Sequence, residues 1–296
     1  MSGFFSSLRR PLRRFLPRSL RGEHVTIPVV RLTGTIGVGT PFSPGLTLSA
    51  VAKTLEKAFA VKDAPAVALL INSPGGSPVQ SHLIYRRIRA LAEDKQKHVF
   101  AFVEDAAASG GYMIACAADE IFADPCSIVG SIGVVTSSFG FDKAMKRLGI
   151  ERRLHTAGEN KATLDPFSPQ KPEDVARLEV LLKELHGVFI ELVRTRREDT
   201  LEGEDEELFS GAFWLGTQAV GLGLVDGLGD VRAVLRQRYG EKVEMPLIQG
   251  PSRFFLRRPE AVAGEAGRWA QHLAQQGTAG ALAAAEERAL WARLGL

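Results

Sequence analysis

Apolar positions in the first half of the chain follow two rhythms in turn. "VTIPVVRLTGTIG" (25–37) alternates and is β-branched, which predicts a strand. "TLSAVAKTLEKAFA" (47–60) has helical spacing, with Thr47 placed to cap it. "AVALLIN" (66–72) is apolar throughout, as in a strand buried on both faces of a parallel sheet. An amphipathic helix over 79–95 and a second buried strand over 98–105 come next. A short apolar helix in "SGGYMIACAAD" (109–119) precedes "EIFADP" (120–125) and "SIVGSIGVVTSSF" (127–139). A helix is expected at 142–149 and a strand at 151–157. This repeated β-α order with tight connections calls for an α/β layered fold.

Beyond residue 158 the pattern changes. "GENKATLDPFSPQKPED" is polar and proline-rich, and reads as a long loop. Residues 172–197 form a long helix with apolar residues at 175, 178, 181, 182, 185, 188, 189 and 192. So wide a stripe must pack on something, either the domain or a neighbour. "TQAVGLGLVDGLGD" and "VRAVLRQRYG" complete a helical C-terminal lobe. The expected organisation is a basic tail (1–24), one α/β domain (25–245) and a helical extension (246–296) with Trp269 and Trp291.

Composition narrows the function classes. Hydrophobic content of 45% and charged content of 24% are globular values, and a net charge of +3 gives no global nucleic-acid footprint. Arg9, Arg10, Arg13, Arg14, Arg18 and Arg21 precede the first acid, Glu23. With Phe and Leu between them they read either as a peripheral anchor on anionic lipid or as a basic tail interrupted by Pro11 and Pro17. No stretch there is long enough to span a membrane, so a cytoplasmic location, with or without contact at the inner membrane, is expected. Cys116 and Cys126 both lie in apolar surroundings and read as buried, reduced thiols. No cysteine or histidine spacing suits a metal, and no cofactor is expected.

The candidate chemistry lies in two glycine pairs, "NSPGG" (72–76) and "ASGG" (108–111). Ser109 is either an N-cap or a nucleophile at the mouth of a helix. A strand ending in Pro-Gly-Gly brings unhindered backbone N–H groups close to a substrate carbonyl, where they can stabilise developing negative charge. Both pairs follow parallel-type strands, and so belong on the same sheet edge. His82, His98 and His155 have no suggestive carboxylate spacing. A desolvated lysine is the other way to activate a serine, but residue pattern alone does not choose Lys161 from the other lysines.

"NSPGG", "ASGGYMIACAADEIFADPCSIVGSIGV", "GENKATLDPFSP" and "FWLGTQAVGLGLVDGLGD", spread over about 25–240, resemble the signal peptide peptidase A family. That resemblance implies a serine peptidase with a Ser-Lys dyad on a ClpP/crotonase-like fold. It assigns Ser109 as nucleophile, Lys161 as general base, and Ser131 as the residue that orients the lysine. Gly76 and Gly110 would supply the oxyanion-hole N–H groups. It further implies apolar or unfolded peptides, such as remnant signal peptides, as substrates. Ring- or dome-shaped homo-oligomers with sites shared between subunits are also implied. The segment at 1–24 departs from the transmembrane anchor that many members carry. Two rival readings are a crotonase-type acyl-CoA enzyme and a non-catalytic ring-forming scaffold.

Overall fold

In the computed structural model, residues 24–37, 45–197, 199–249, 285 and 287–296 are described. The central sheet runs β1 (Val29–Thr33), β2 (Ala66–Ser73), β3 (His98–Ala108), β4 (Glu120–Ala123) and β7 (Gly227–Leu228), all parallel. β5 (Ile128–Gly130) pairs parallel with the far end of β3, and β6 (Phe213–Leu215) pairs antiparallel with β5.

Alternation along the strands divides the core in two. Val67, Leu69 and Ile71 of β2 join Val99, Ala101 and Val103 of β3 on one face. That face is covered by α1 (Leu48–Phe59), α2 (Pro78–Lys95), α3 (Gly110–Ala115) and α5 (Pro172–Arg197), through Leu55, Phe59, Ile84, Ile88, Ile114 and Val193. Ala66, Ala68, Phe100 and Phe102 point the other way, against Ile27, Val243 and Leu235 of α8 (Val231–Tyr239). Burial on both faces is why β2 reads as an unbroken apolar run. The result is an α/β layered arrangement of repeated β-α units.

Local chemistry sets the element ends. Thr47 caps α1 by accepting from Ala50 N, and Ser77 caps α2 ahead of Pro78 at its first turn. α5 is tied down by Arg197, 4% exposed, which donates to the Gly223 carbonyl and to both carboxylate oxygens of Asp226. Asp226 in turn accepts from Ile121 N at the start of β4.

Several expectations need correction. β1 covers only Val29–Thr33, with isolated bridges at Thr26 and Ile36. Residues 151–156 form no strand; they are irregular and exposed. After β5 the chain runs without regular structure to α4 (Asp142–Arg147). The lobe is not purely helical: besides α6 (Asp205–Leu208) and α7 (Gly216–Gly221) it lends β6 and β7 to the sheet. The long α5 stripe is only partly covered, since Phe189, Leu192 and Val193 are buried while Val180, Leu181 and Val188 are exposed. Cys116 is buried as expected, but Cys126 is exposed. The tail at 1–23 and residues 250–284 lie outside the described residues.

Candidate active site

The sheet itself brings the glycine pairs together. Ile71 pairs with Val103, yet Ser73 pairs with Ala107, so β3 carries two extra residues over that interval. Asn72 spans the irregularity by donating to Asp105 and accepting from Ala106 N. A bulge of this kind re-aims the strand after it. Residues 106–108 accordingly leave the line toward β4 and pair with β5. The carboxyl ends of β2, β3 and β5 thereby converge, carrying Pro74–Gly76, Ser109–Gly111 and Ser131.

Contact is close enough to require glycine. A Cβ on Gly75 would stand 2.9 Å from both Ala108 O and Ser109 Cβ, and 3.1 Å from Gly110 N. One on Gly110 would meet Ser81 Oγ at 2.2 Å, and one on Gly111 would meet Ser73 O at 2.6 Å. The Gly75–Ser77 turn is clasped by Ile36, whose N–H donates to Gly75 O and whose carbonyl accepts from Ser77 N, both at 2.8 Å. Among the described residues, neither Gly76 N–H nor Gly110 N–H has a hydrogen-bond acceptor.

Ser109 does not cap α3: its side chain makes no cap hydrogen bond, and its φ of 52° with ψ of −119° is a conformation that L residues rarely adopt. Its own N–H is held by Gly130 O at 2.8 Å, and β3, α3 and β5 fix the strained residue from three sides. Strain held in this way collects at functional positions. Ser131 also has a positive φ, 52°, and donates its N–H to Ala212 O.

Ser109, Ser131, Gly76 and Gly110 all line one cavity of about 710 Å³. Its walls are apolar, from Met113, Leu182, Leu185, Phe189 and Phe213 among others. His186 and Arg293 are the ionisable side chains on it among the described residues. His186 is the histidine that sequence pattern did not single out; its Nε2 lies 3.0 Å from Ile132 O, beside Ser131. Its place in the α5 stripe, between Leu185 and Phe189, was the available signal. His82 stacks on Tyr85 along α2, His98 pairs with Glu120 at the opposite end of β3, and His155 is exposed. Behind α3, burial pushes the Cys116 thiol up to about 12, so it stays protonated and unreactive.

Lys161 is not brought to this cavity within the single chain. It sits exposed in the turn at 157–164, which Asp165, Arg152 and Ser168 order by mutual hydrogen bonds. The segment on which it rides exposes Val135, Phe139, Phe141 and Phe167, the last two stacked on each other.

The chain is similar to several known proteins. A Brucella abortus protein named Na(+)/H(+) antiporter NhaA is 56% identical over 292 residues, 96% of this chain and 39% of its own. Serine protease SPPA, chloroplastic, of Arabidopsis thaliana is 32% identical over 247 residues, 81% of this chain and 36% of its own. Protease 4 of Haemophilus influenzae is 34% identical over 220 residues, 71% of this chain and 34% of its own. The chain thus spans well under half the length of these relatives. The antiporter name is that of a longer polypeptide, and among the described residues here no helix is long and apolar enough to cross a membrane. The profile of peptidase family S49 matches residues 91–243, just over half of the chain and the stretch that carries Ser109, Ser131 and Lys161, and the chain belongs to that family.

Proposed function

We propose that the protein is a serine endopeptidase of apolar or unfolded peptides, acting through Ser109 with Lys161 of a second copy as base. The observation that carries this reading is the uncapped, strained Ser109, set between the free N–H groups of Gly76 and Gly110 on an apolar cavity. The Ser109 hydroxyl oxygen attacks a peptide carbonyl while Lys161 Nζ takes its proton. The carbonyl oxygen, now negative, accepts from Gly76 and Gly110, donors worth about 2.7–4 kcal/mol each in such sites. The C–N bond then breaks and the departing amine receives the proton from Lys161. Water attacks the resulting ester, again giving its proton to Lys161, and Ser109 is regenerated. Ser131, on the same cavity, orients the incoming amine.

The second copy is argued from what one chain leaves undone. Lys161 is exposed, and a lysine acts as a base only where its ammonium is desolvated. Val135, Phe139 and Phe141 on its segment and Val180, Leu181 and Val188 on α5 are uncovered apolar surface of the kind copies bury against each other. A closed ring or dome suits a heterologous contact of this sort.

Hydrolysis of a leucine- and alanine-rich peptide by the parent, Ser109→Ala and Lys161→Ala is the test. Both variants are expected to be inactive alone, and a mixture of the two to regain activity from the composite sites. Turnover by Ser109→Ala at the parental rate sinks the reading. An inactive pair that stays inactive after subunit exchange removes the sharing.

A further inference from the structure

A second cavity opens on the α8 side of the sheet. It measures about 580 Å³, within the range of small-molecule sites, and shares no lining residue with the Ser109 cavity. Val29, Leu70 and Phe102 of the sheet give it an apolar floor, joined by Val243, Met245 and Leu247 from the segment after α8. The frame is held firmly. The Ser127 hydroxyl donates to the Val103 and Glu104 carbonyls and accepts from Asp124 N, and all three of those residues line the cavity. Charge on the rim is balanced in number but not in engagement, with Arg31, Arg232 and Arg236 beside Glu104, Asp124 and Asp230. Each carboxylate already has a partner. Glu104 accepts from Arg31 at 2.7 Å, Asp230 caps α8 through Arg232 N and Ala233 N, and Asp124 accepts from Cys126 N. The α8 guanidiniums differ. Arg232 has no ion pair among the described residues, and Arg236 reaches only the exposed Glu241, at 3.9 Å. The two arginines stand four residues apart, on one side of the helix.

We propose that this cavity binds an aliphatic carboxylate, its chain on the Val29, Leu70 and Phe102 floor and its head between Arg232 and Arg236. A planar carboxylate suits guanidinium forks, which present paired N–H donors. A cationic head would meet the same two arginines and gain little from carboxylates that are already partnered. The floor decides the rest of the ligand. A bare hydrocarbon chain leaves water there at no polar cost. A peptide ending in the same carboxylate would bring N–H and C=O groups, which lose their water against apolar walls. The occupant is therefore a fatty-acid-like molecule rather than a peptide C-terminus. The site is separate from the Ser109 cavity, and the proposal does not depend on what Ser109 does.

Methionine methyl groups allow a direct test. Of the four methionines in the chain, Met245 lines this cavity and Met113 lines the Ser109 cavity, so methyl-13C-methionine NMR reads the two apart. Sodium decanoate added to the full chain is expected to move the Met245 signal to saturation, with Met113 in place. Loss of that signal in Met245→Leu identifies it. The dissociation constant should fall about fifteenfold from octanoate to decanoate, as two further methylenes leave water. Arg232→Gln with Arg236→Gln, both at exposed positions, should weaken decanoate about tenfold. Decyltrimethylammonium and acetyl-trileucine should both bind more weakly than decanoate. No saturable movement of Met245, or movement of Met113 at lower decanoate, overturns the proposal. An unchanged constant in the arginine variant overturns it as well, because the acid then sits elsewhere. Tighter binding of acetyl-trileucine than of decanoate would make the site one for peptide ends. Peptide hydrolysis by the parent judges the peptidase reading separately, whichever way Met245 behaves.

Discussion

Gly76→Ala tests the oxyanion geometry and the packing of the two turns at once. A Cβ on Gly76 would lie 2.2 Å from Ile36 O, 2.9 Å from Ile36 N and 3.0 Å from Ile36 C, all backbone atoms. Those atoms cannot swing aside as a side chain would, because Ile36 is itself bonded to Gly75 O, Ser77 N and, through Gly37, Leu46 O. Restoring an ordinary contact requires the turn to move by about 1 Å. The φ of 140° adds strain for any L side chain, about 1–3 kcal/mol, and overpacking adds a similar amount. The expected loss is about 2–6 kcal/mol, a large share of the ~5–15 kcal/mol that holds a domain folded. A melting midpoint lower by about 10 °C follows at roughly 2–4 °C per kcal/mol. Displacing the donor by that distance should also lower kcat by about 10²–10³ at temperatures where the variant is folded. Thermal denaturation and peptide hydrolysis at 15 °C read the two effects separately. Gly221→Ala is the control, since its Cβ meets nothing within 4 Å and its φ is not positive. Near-parental turnover by Gly76→Ala, with the control also unchanged, refutes the assignment of Gly76 as a donor.

Three further outcomes are expected. Gly187→Ala, in the interior of α5 with nothing within 4 Å of the added Cβ, should stabilise the isolated chain by about 0.5–1 kcal/mol in urea denaturation; loss of oligomer mass with that gain would mark Gly187 as an intersubunit contact. Arg197→Ala removes the partner of Asp226 and the donor to Gly223 O, and should cost about 3–5 kcal/mol of stability, with Arg197→Lys recovering only part of it. The third concerns pH. Burial pushes the Asp119 carboxyl up, but the Val99 N–H and the Arg89 guanidinium outweigh it and hold the group below the ordinary aspartate value. Its contribution is thus complete above the unfolded value of about 3.9 and is lost as pH falls through the lower folded value. Asp119→Asn should flatten the acid limb of the stability profile below about pH 4, measured by urea midpoints. An unchanged slope there would show that the carboxylate is not linked to folding.

What could be read in advance follows the physics of each element. β2, β3, α1 and α2 are long and buried, and their periodicity extends over enough residues to be seen. β6 and β7 are three and two residues long, and they exist because the lobe reaches the edges of β5 and β4 rather than because "FWL" or "GL" favours a strand. The stretch at 131–141 looks like a strand by its β-branched residues, yet among the described residues it pairs with no other strand. Ser109, Gly76 and Gly110 could be brought to one sheet edge by strand direction alone. The bulge at Asn72 that aims β3 at β5 could not, because it depends on which strand the chain meets next. His186 was hidden within a stripe whose leucines and phenylalanine made it look like core. Cys126 looks buried in sequence because its apolar neighbours, Ile128 and Val129, face the sheet, while the turn that holds it faces solvent.

Lys161 is the residue on which sequence and single-chain geometry part, and the difference has a measurable consequence. Lys161 is exposed on a segment bearing uncovered phenylalanines, and under the proposed function a second copy laid over that segment would desolvate it. Activity then depends on association, whereas a site complete within one chain would not. An interface of stable size buries about 1,200–2,000 Å². Under the proposed function, the exposed Val135, Phe139 and Phe141, together with Val180, Leu181 and Val188, would supply its apolar centre. Specific activity per chain should therefore fall on dilution, and fall over the same concentration range in which light scattering reports the loss of oligomer. Phe139→Asp, at a position that does not itself line the Ser109 cavity, should shift both curves together to higher protein concentration. Activity that persists per chain at concentrations where the protein is monomeric would place the base within the same chain and leave Lys161 as a loop lysine.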